Sequence, residues 1–300
     1  MRAFVTGGHG FVGTWLVRHL EDQGDTVAAP HASEVDITDG AALAKALDAA
    51  RPDAVYHLAG FAHVGQSWER PDEVFRVNAE GTLHVLEAAR LATTPAQTPR
   101  VLVVSSAEVY GTVTPDDLPL TEDRPVRPVS PYAASKAAAE LLAVQAWLGR
   151  RVPALIARPF NHMGPGQSPD FVVPAFARRI MEAQGAVKVG NLTARRDITD
   201  VRDVVRAYRL LVERGEPGQA YNVCSGTDVS IQEVVDRLRR LAGKPDLALE
   251  PDPDLLRPAD VPVLRGDPSR LHQATGWRPE IPLDQTLTDV LDSLRPSPEN

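Results

Sequence analysis

One eight-residue turn near the N-terminus, Thr6-Gly7-Gly8-His9-Gly10-Phe11-Val12-Gly13, constrains this chain more than any other feature. A short apolar run at 3–6 precedes it. An amphipathic stretch at 11–23 follows, with Val12, Trp15, Leu16 and Leu20 on one face. Glycines at 7, 10 and 13 let the backbone turn sharply and approach a pyrophosphate closely. The phosphate charge then sits on the free N–H groups and the positive dipole end of the following helix. A plain glycine-rich turn is the bland alternative, and the strand–loop–helix context argues against it.

The rest of the first half continues the alternation of apolar runs and amphipathic segments that builds a parallel sheet. Strands are expected at 26–29, 54–58, 101–104 and 154–157, and helices at 40–50, 71–91 and 131–148. Val101–Val104 is apolar throughout, as a central strand buried on both faces requires. Pro115, Pro119, Pro125, Pro128 and Pro131 stud a long connection, which in a compact domain is either functional or disordered. Beyond Pro159 the pieces shorten, with helices expected at 171–183, 201–214, 230–241 and 283–294. The reading is an α/β fold: a doubly wound, Rossmann-type parallel sheet at 1–160, then a smaller mixed α/β portion at 161–300 that binds substrate. Strands of the second portion are free to return to the first sheet.

Composition narrows the classes of function. The 300 residues carry a net charge of −8, without a basic run, which disfavours nucleic acid and anionic membrane surfaces. No apolar stretch approaches the roughly 18 residues of a membrane span. The first strand starts too early for a signal peptide, so a cytoplasmic location is expected. A single cysteine, Cys224, allows no internal disulfide and reads as a buried thiol. His57, His63 and His162 fall near the cleft without metal-ligand spacing. They read as packing or substrate contacts, and no metal is expected.

Two further motifs carry chemistry. In Tyr132-Ala133-Ala134-Ser135-Lys136 the phenol and the ammonium stand four apart, on one helical face. With 5 tyrosines and four lysines in the chain, chance supplies about 0.07 such pairs. A nearby cation lowers a tyrosine's pKa toward neutrality, as a general acid/base needs. Ser105-Ser106 follows strand 101–104 at the carboxyl edge of the sheet, where ligands of such sheets bind. A hydroxyl there can polarise a reacting oxygen, although serines are also ordinary turn formers.

Together these motifs resemble the extended short-chain dehydrogenase/reductases that act on nucleotide sugars, over nearly the whole chain. The resemblance implies a catalytic set of Ser106, Tyr132 and Lys136. It implies a cofactor site of Gly7, Gly10, Phe11, Val12, Gly13, Asp36, Ile37, Leu58, Ala59, Gly60, Asn78, Ser105, Tyr132, Lys136 and Pro159. Asn161, Arg196 and Arg257 resemble positions that hold the sugar nucleotide, with Asp260 as a matching carboxylate. A guanidinium suits a diphosphate because it pairs bidentately. The segments RPFNHMGPGQ, GNLTARRDITDVRD and LRPADVPVL look most like those of GDP-6-deoxy-4-keto-mannose reductases, with GDP-mannose 4,6-dehydratases next.

Reduction of the 4-keto group of a GDP-linked 4-keto-6-deoxyhexose is the activity this implies. A 4,6-dehydratase or a 4-epimerase that recycles its cofactor is the same-fold alternative, and a non-catalytic dinucleotide-binding protein is a third reading. Glu108 could serve a dehydratase as base, whereas Ala107 can neither donate nor accept a proton, which favours simple reduction. Strand 26–29 runs into Pro30-His31-Ala32-Ser33 with no closing acid. That absence favours NADP(H) and leaves NAD(H) open. The resemblance further implies a homodimer built on helices 71–91 and 131–148, through Val74, Val77, Leu86, Ala137, Leu141 and Val144.

Overall fold

The computed structural model describes residues 1–93, 98–255 and 262–295. The N-terminal alternation forms as read, through β1 (Arg2–Thr6), α1 (Phe11–Asp22), β2 (Thr26–Ala28), α2 (Gly40–Ala50) and β3 (Ala54–His57). Next come α3 (Pro71–Phe75), α4 (Gly81–Leu91), β4 (Arg100–Val104), α5 (Pro131–Arg150) and β5 (Ala154–Pro159). The chain continues through β6 (Asn161–Met163), α6 (Val172–Glu182), β7 (Ala186–Val189), β8 (Arg195–Asp200) and α7 (Val201–Arg214). It ends with β9 (Ala220–Val223), β10 (Asp228–Ser230), α8 (Ile231–Leu241), β11 (Ala248–Pro251), β12 (Val263–Leu264), α9 (Ser269–Thr275) and α10 (Leu283–Ser293).

Six strands pair in parallel in the order β2-β1-β3-β4-β5-β9. The order reverses between β1 and β3, so the carboxyl edges of these strands open the crevice where dinucleotides bind. Val101, Leu102 and Val103 are buried on both faces, as expected of a central strand. One face packs Leu16 and Leu20 of α1 against Tyr208 and Leu211 of α7, together with Trp277. The other packs Leu43 and Leu47 of α2, Val85 of α4 and Ala143 of α5. Residues beyond 160 thus return to the large sheet through β9, α7 and α9. A smaller layer forms where β8 pairs with β6, β10 and β12, with α6, α8 and α10 on a core of Phe176, Ile180, Val234 and Leu287.

Two expectations are revised. The helix expected over 71–91 is interrupted at Arg76–Glu80 by a π-helical turn, a feature frequent at functional sites. Of the apolar residues assigned to a dimer face, Val74, Leu86 and Ala137 are buried and Val144 packs into the core, because those faces cover the sheet. Leu141 is 71% exposed, and the other exposed apolar side chains on these helices are Phe75, Leu83, Leu91 and Leu148. The proline-studded connection is ordered. Leu120 donates to the Arg265 carbonyl and accepts from Asp267, both at 2.9 Å, which docks it on the C-terminal portion.

Candidate active site

The glycine turn is built for close approach. Gly7 has φ +73°, and a Cβ there would lie 2.7 Å from the Ala59 nitrogen. A Cβ at Gly13 would stand 2.0 Å from the Gly7 carbonyl oxygen, so α1 can start here only with glycine. Gly10 is the N-cap of α1 and no side chain caps it, which leaves the first-turn N–H groups for an anion. Beside the turn lies a cavity of about 420 Å³, lined by Gly7, Gly10, Asp36, Ile37, Ala59 and Gly60 among others. Asp36 accepts from the Thr38 N–H and hydroxyl, both at 2.8 Å, and these bonds lower its pKa. These features fit a dinucleotide: a cradle without side chains for the pyrophosphate, then a pocket edged by a carboxylate.

At the same end of the cavity, past β2, His31 Nδ1 pairs with Ser33 Oγ at 2.8 Å, and the rings of His9 and His31 meet edge-on at 5.2 Å. Glu34, the first acid after β2, is turned back to accept from the His31 N–H at 2.8 Å, and Asp36 is the acid that lines the cavity. Gly60 forms the other end. A Cβ there would lie 2.8 Å from Asn78 Oδ1 and 3.3 Å from Lys136 Nζ, so Lys136 meets the cavity at this glycine.

Helix α5 starts where Ser130 accepts from the Ala133 N–H, with Pro131 in the first turn. It carries Tyr132 and Lys136, both buried. The Ser106 hydroxyl, beyond β4, and the Glu108 carboxylate both lie near enough to the Tyr132 phenol to act on its pKa, and Ser106 Oγ accepts from the Glu108 N–H at 3.2 Å. Ser106, Glu108, Tyr132 and Lys136 are therefore brought together. The electrostatics differ from the expectation for the tyrosine. Burial pushes Tyr132 up to about 12, Ser106 opposes this and Glu108 adds to it. Lys136 is not among the groups that set this shift, and its Nζ donates to the Val104 carbonyl at 2.9 Å. Burial also lowers Lys136 to about 8, against the favourable charge of Glu140.

Several of the residues expected at the cofactor also bond within the protein. Asn78 sits in the π-turn and its amide is engaged: Oδ1 accepts from the Phe61 N–H at 2.7 Å, and Nδ2 donates to the Phe61 carbonyl and to Ser135 Oγ. Ser105 donates its hydroxyl to Glu140 at 2.5 Å and its N–H to the Ala157 carbonyl at 2.8 Å. Leu58 packs into the core and Pro159 is buried at the end of β5. Phe11 and Val12 begin α1, and Phe11 lies parallel to the His162 ring at 6.5 Å.

On the substrate side, Asn161 is exposed at the start of β6. Arg196 lies half-buried on β8, next to Asp197, which accepts from Ser225, Gly226 and Gly266. Arg257 and Asp260 lie outside the described residues. His162 Nδ1 bonds to the Phe160 carbonyl at 2.9 Å, and burial lowers its pKa. His57 is bonded on both ring nitrogens to threonines and His63 stacks on Phe171. Cys224 is buried, and burial raises its thiol pKa. The residues missed from sequence were Glu140 and Arg158, whose buried pairing joins segments 18 residues apart.

A parallel doubly wound sheet, a glycine cradle at its crevice and a Ser–Tyr–Lys set beside it define an extended short-chain dehydrogenase/reductase. The model of the family described as GDP-mannose 4,6 dehydratase matches residues 28–290, and the chain belongs to that family. It is 38% identical over 298 residues to the GDP-6-deoxy-D-mannose reductase of Pseudomonas aeruginosa, covering 97% of this chain and 96% of that protein. A GDP-mannose 4,6-dehydratase of Vibrio cholerae is 29% identical, covering 97% of this chain and 92% of that protein. The solved structure of RMD from Pseudomonas aeruginosa complexed with NADPH aligns with a TM-score of 0.88 at 35% identity over 98% of both chains. The Thermus thermophilus UDP-glucose 4-epimerase complex with NAD gives 0.87 at 31% identity, again over 98% of both.

Proposed function

We propose that this chain is an NADPH-dependent reductase of GDP-4-keto-6-deoxymannose. The observation that carries this reading is the Ser106–Tyr132 hydroxyl pair beside the end of the cofactor cavity that Gly60 and Lys136 form, in a chain so similar to a GDP-6-deoxy-D-mannose reductase. Bound NADPH supplies a hydride to C4. Ser106 hydrogen-bonds O4 and polarises the carbonyl, and Tyr132 delivers its phenolic proton to the oxygen as the C4–H bond forms. Burial that keeps the phenol protonated at neutral pH suits this donor role. Lys136 lies on the cofactor side as a cation and holds the nicotinamide ribose. NADPH is the favoured reductant because the segment after β2 presents His31 and Ser33, with Glu34 turned away. NAD(H) is the secondary option.

Gly7, Gly10, Phe11, Val12 and Gly13 hold the pyrophosphate, Asp36 and Ile37 the adenine side, and Asn161 and Arg196 the sugar nucleotide. In this division 1–160 binds the dinucleotide and 161–300 chiefly the nucleotide sugar, apart from the elements that return to the large sheet. Glu108 favours a second reading, a 4,6-dehydratase, because it lies beside Tyr132 where a base would act. Ala107, buried against Tyr110 and Phe160, leaves that site without the second proton-transfer group, which supports reduction.

A homodimer is proposed through Leu141 and Leu148 of α5 with Phe75 and Leu83, which are exposed apolar side chains on adjacent helices. A cytoplasmic location accords with this. Among the described residues no helix is long and apolar enough to cross a membrane. The direct test mixes the pure protein with NADPH and GDP-4-keto-6-deoxymannose and follows nicotinamide absorbance. Consumption that a Tyr132→Phe variant lacks is the expected result. Turnover of GDP-mannose without added reductant would favour the dehydratase instead.

A further inference from the structure

The acid one turn beyond Lys136 has no part in the reading above. Glu140 is only 5% exposed. Its Oε1 accepts from Ser105 Oγ at 2.5 Å and from Arg158 Nε at 2.9 Å, and its Oε2 accepts from Arg158 Nη2 at 2.7 Å. Arg158 in turn donates to the Tyr110 hydroxyl at 3.1 Å and the Glu122 carbonyl at 3.2 Å. A buried ion pair is weak evidence for stability, since well-packed apolar residues often replace one at no cost. Its position suggests a different use.

Two consecutive residues at the end of β4 are held by two consecutive turns of α5. Lys136 Nζ holds the Val104 carbonyl, and Glu140 holds the Ser105 hydroxyl. The next residue is Ser106, which lies near enough to Tyr132 on the preceding turn to act on its pKa. The groups acting on Lys136 are Glu140 on its own helix and His57 on β3, with Tyr132 one turn back and Arg158 behind the Glu140 carboxylate. Of the first two, only Glu140 favours the ammonium.

We propose that Glu140 is a positioning residue of this site, locking the end of β4 against α5 through Ser105 and standing one helical turn from Lys136 as its counter-charge. The inference rests on the cofactor-side role given to Lys136 above. Four lysines in the chain make a direct measurement practical: lysine labelled with ¹³C at Cε, with the Lys136 signal assigned by its loss in Lys136→Arg. In the parent the signal titrates at about 8. In Glu140→Gln the midpoint falls by about one pH unit or more, the usual size of a lost neighbouring charge. Glu140→Gln with Arg158→Gln removes the pair together, leaves neither of its halves buried alone, and also titrates below the parent. The alkaline limb of kcat/KM moves down in pH with it, a change that loosened packing alone does not produce. Ser105→Ala leaves the lysine titration in place and lowers kcat about tenfold, with KM for NADPH little changed.

An unmoved Lys136 midpoint in a folded Gln variant overturns the proposal. So does a failure of both Gln variants to fold, which would make Glu140 a folding residue only. A parent without reductase activity sinks the functional reading and leaves the lysine titration to decide this one.

Discussion

Asn78 Nδ2 donates to Ser135 Oγ at 2.9 Å, and this bond fastens the π-turn between α3 and α4 to the helix that carries Tyr132 and Lys136. The same amide holds both backbone groups of Phe61, on the loop that follows the cofactor-lining Gly60. One side chain therefore sets the distance between the cavity wall and the catalytic helix. Asn78→Ala leaves the Phe61 N–H and carbonyl and the Ser135 hydroxyl without these partners, at a cost of about 2–3 kcal/mol in denaturant unfolding. NADPH affinity, read by fluorescence, falls with it. A variant with parental stability and affinity would show that the amide is incidental.

Gly60 and Gly13 separate two kinds of damage. Gly13→Ala drives a Cβ to 2.0 Å from a backbone oxygen inside the turn itself, so the first helix has to shift. Loss of dinucleotide binding is expected together with a lower melting temperature. Gly60→Ala instead meets side-chain atoms, Asn78 Oδ1 at 2.8 Å and Lys136 Nζ at 3.3 Å, so its strain falls on the Asn78–Phe61 link and not on the turn backbone. It should lose less stability than Gly13→Ala while weakening NADPH binding and kcat. Calorimetry beside a binding titration distinguishes the two, and equal loss of stability in both would refute the distinction.

The parts legible in the sequence are those whose chemistry is local. The glycine spacing at 7, 10 and 13 and the i, i+4 pair Tyr132–Lys136 each fit within a single turn or helix, and the structure places them at one crevice. The π-turn was not legible because it answers to Asn78 meeting Phe61 and Ser135, contacts 17 and 57 residues away. The direction of the Tyr132 shift was missed for a similar reason. Proximity in sequence suggested that Lys136 would act on the phenol, whereas burial, which no spacing shows, is the largest cause of the shift. Burial also hid the bond that Ser105 makes to Glu140, 35 residues away.

Tyr132→Phe removes the proton donor and keeps the ring that fills the pocket. A loss of about 10²–10⁴ in kcat is expected, the usual worth of a positioned acid, with NADPH affinity within about twofold of the parent. Stopped-flow consumption and a separate binding titration measure the two. A fall confined to KM would move the proton source elsewhere, to Glu108 or solvent.

The exposed leucines of α5 give a prediction about assembly. Leu141 and Leu148 are 71% and 65% exposed and stand seven residues apart, two turns along one helix face. Leu141→Glu with Leu148→Glu places two charges on the proposed dimer face without touching the core. Light scattering should read a dimer for the parent and a monomer for the double variant. A parent that is monomeric at micromolar concentration would remove the dimer from this account.

His57 makes the protein sensitive to acid in a defined window. Thr82 Oγ1 donates to the Asn78 carbonyl at 2.6 Å, so the His57 Nε2–H donates to Thr82 at 3.0 Å. His57 Nδ1 then accepts from the Thr6 hydroxyl at 2.8 Å, leaving a neutral ring with both nitrogens satisfied. Burial, helped by Lys136, lowers its pKa from 6.5 to about 3. A base lowered on folding binds fewer protons in the folded chain than in the unfolded one. The stability it contributes is therefore complete above about 6.5 and drains away as pH falls toward about 3, at up to about 1.4 kcal/mol per pH unit. Burial of His162 acts in the same direction. His57→Gln should be less stable near neutrality, because glutamine does not reproduce both threonine contacts, and its stability should decline less steeply with acid. Urea unfolding at a series of pH values from about 7 to about 4 measures the slope in each protein. Parallel slopes would mean that His57 is protonated in the folded chain after all, and that the Thr6–His57–Thr82 link between the glycine turn and α4 survives a charge at its centre.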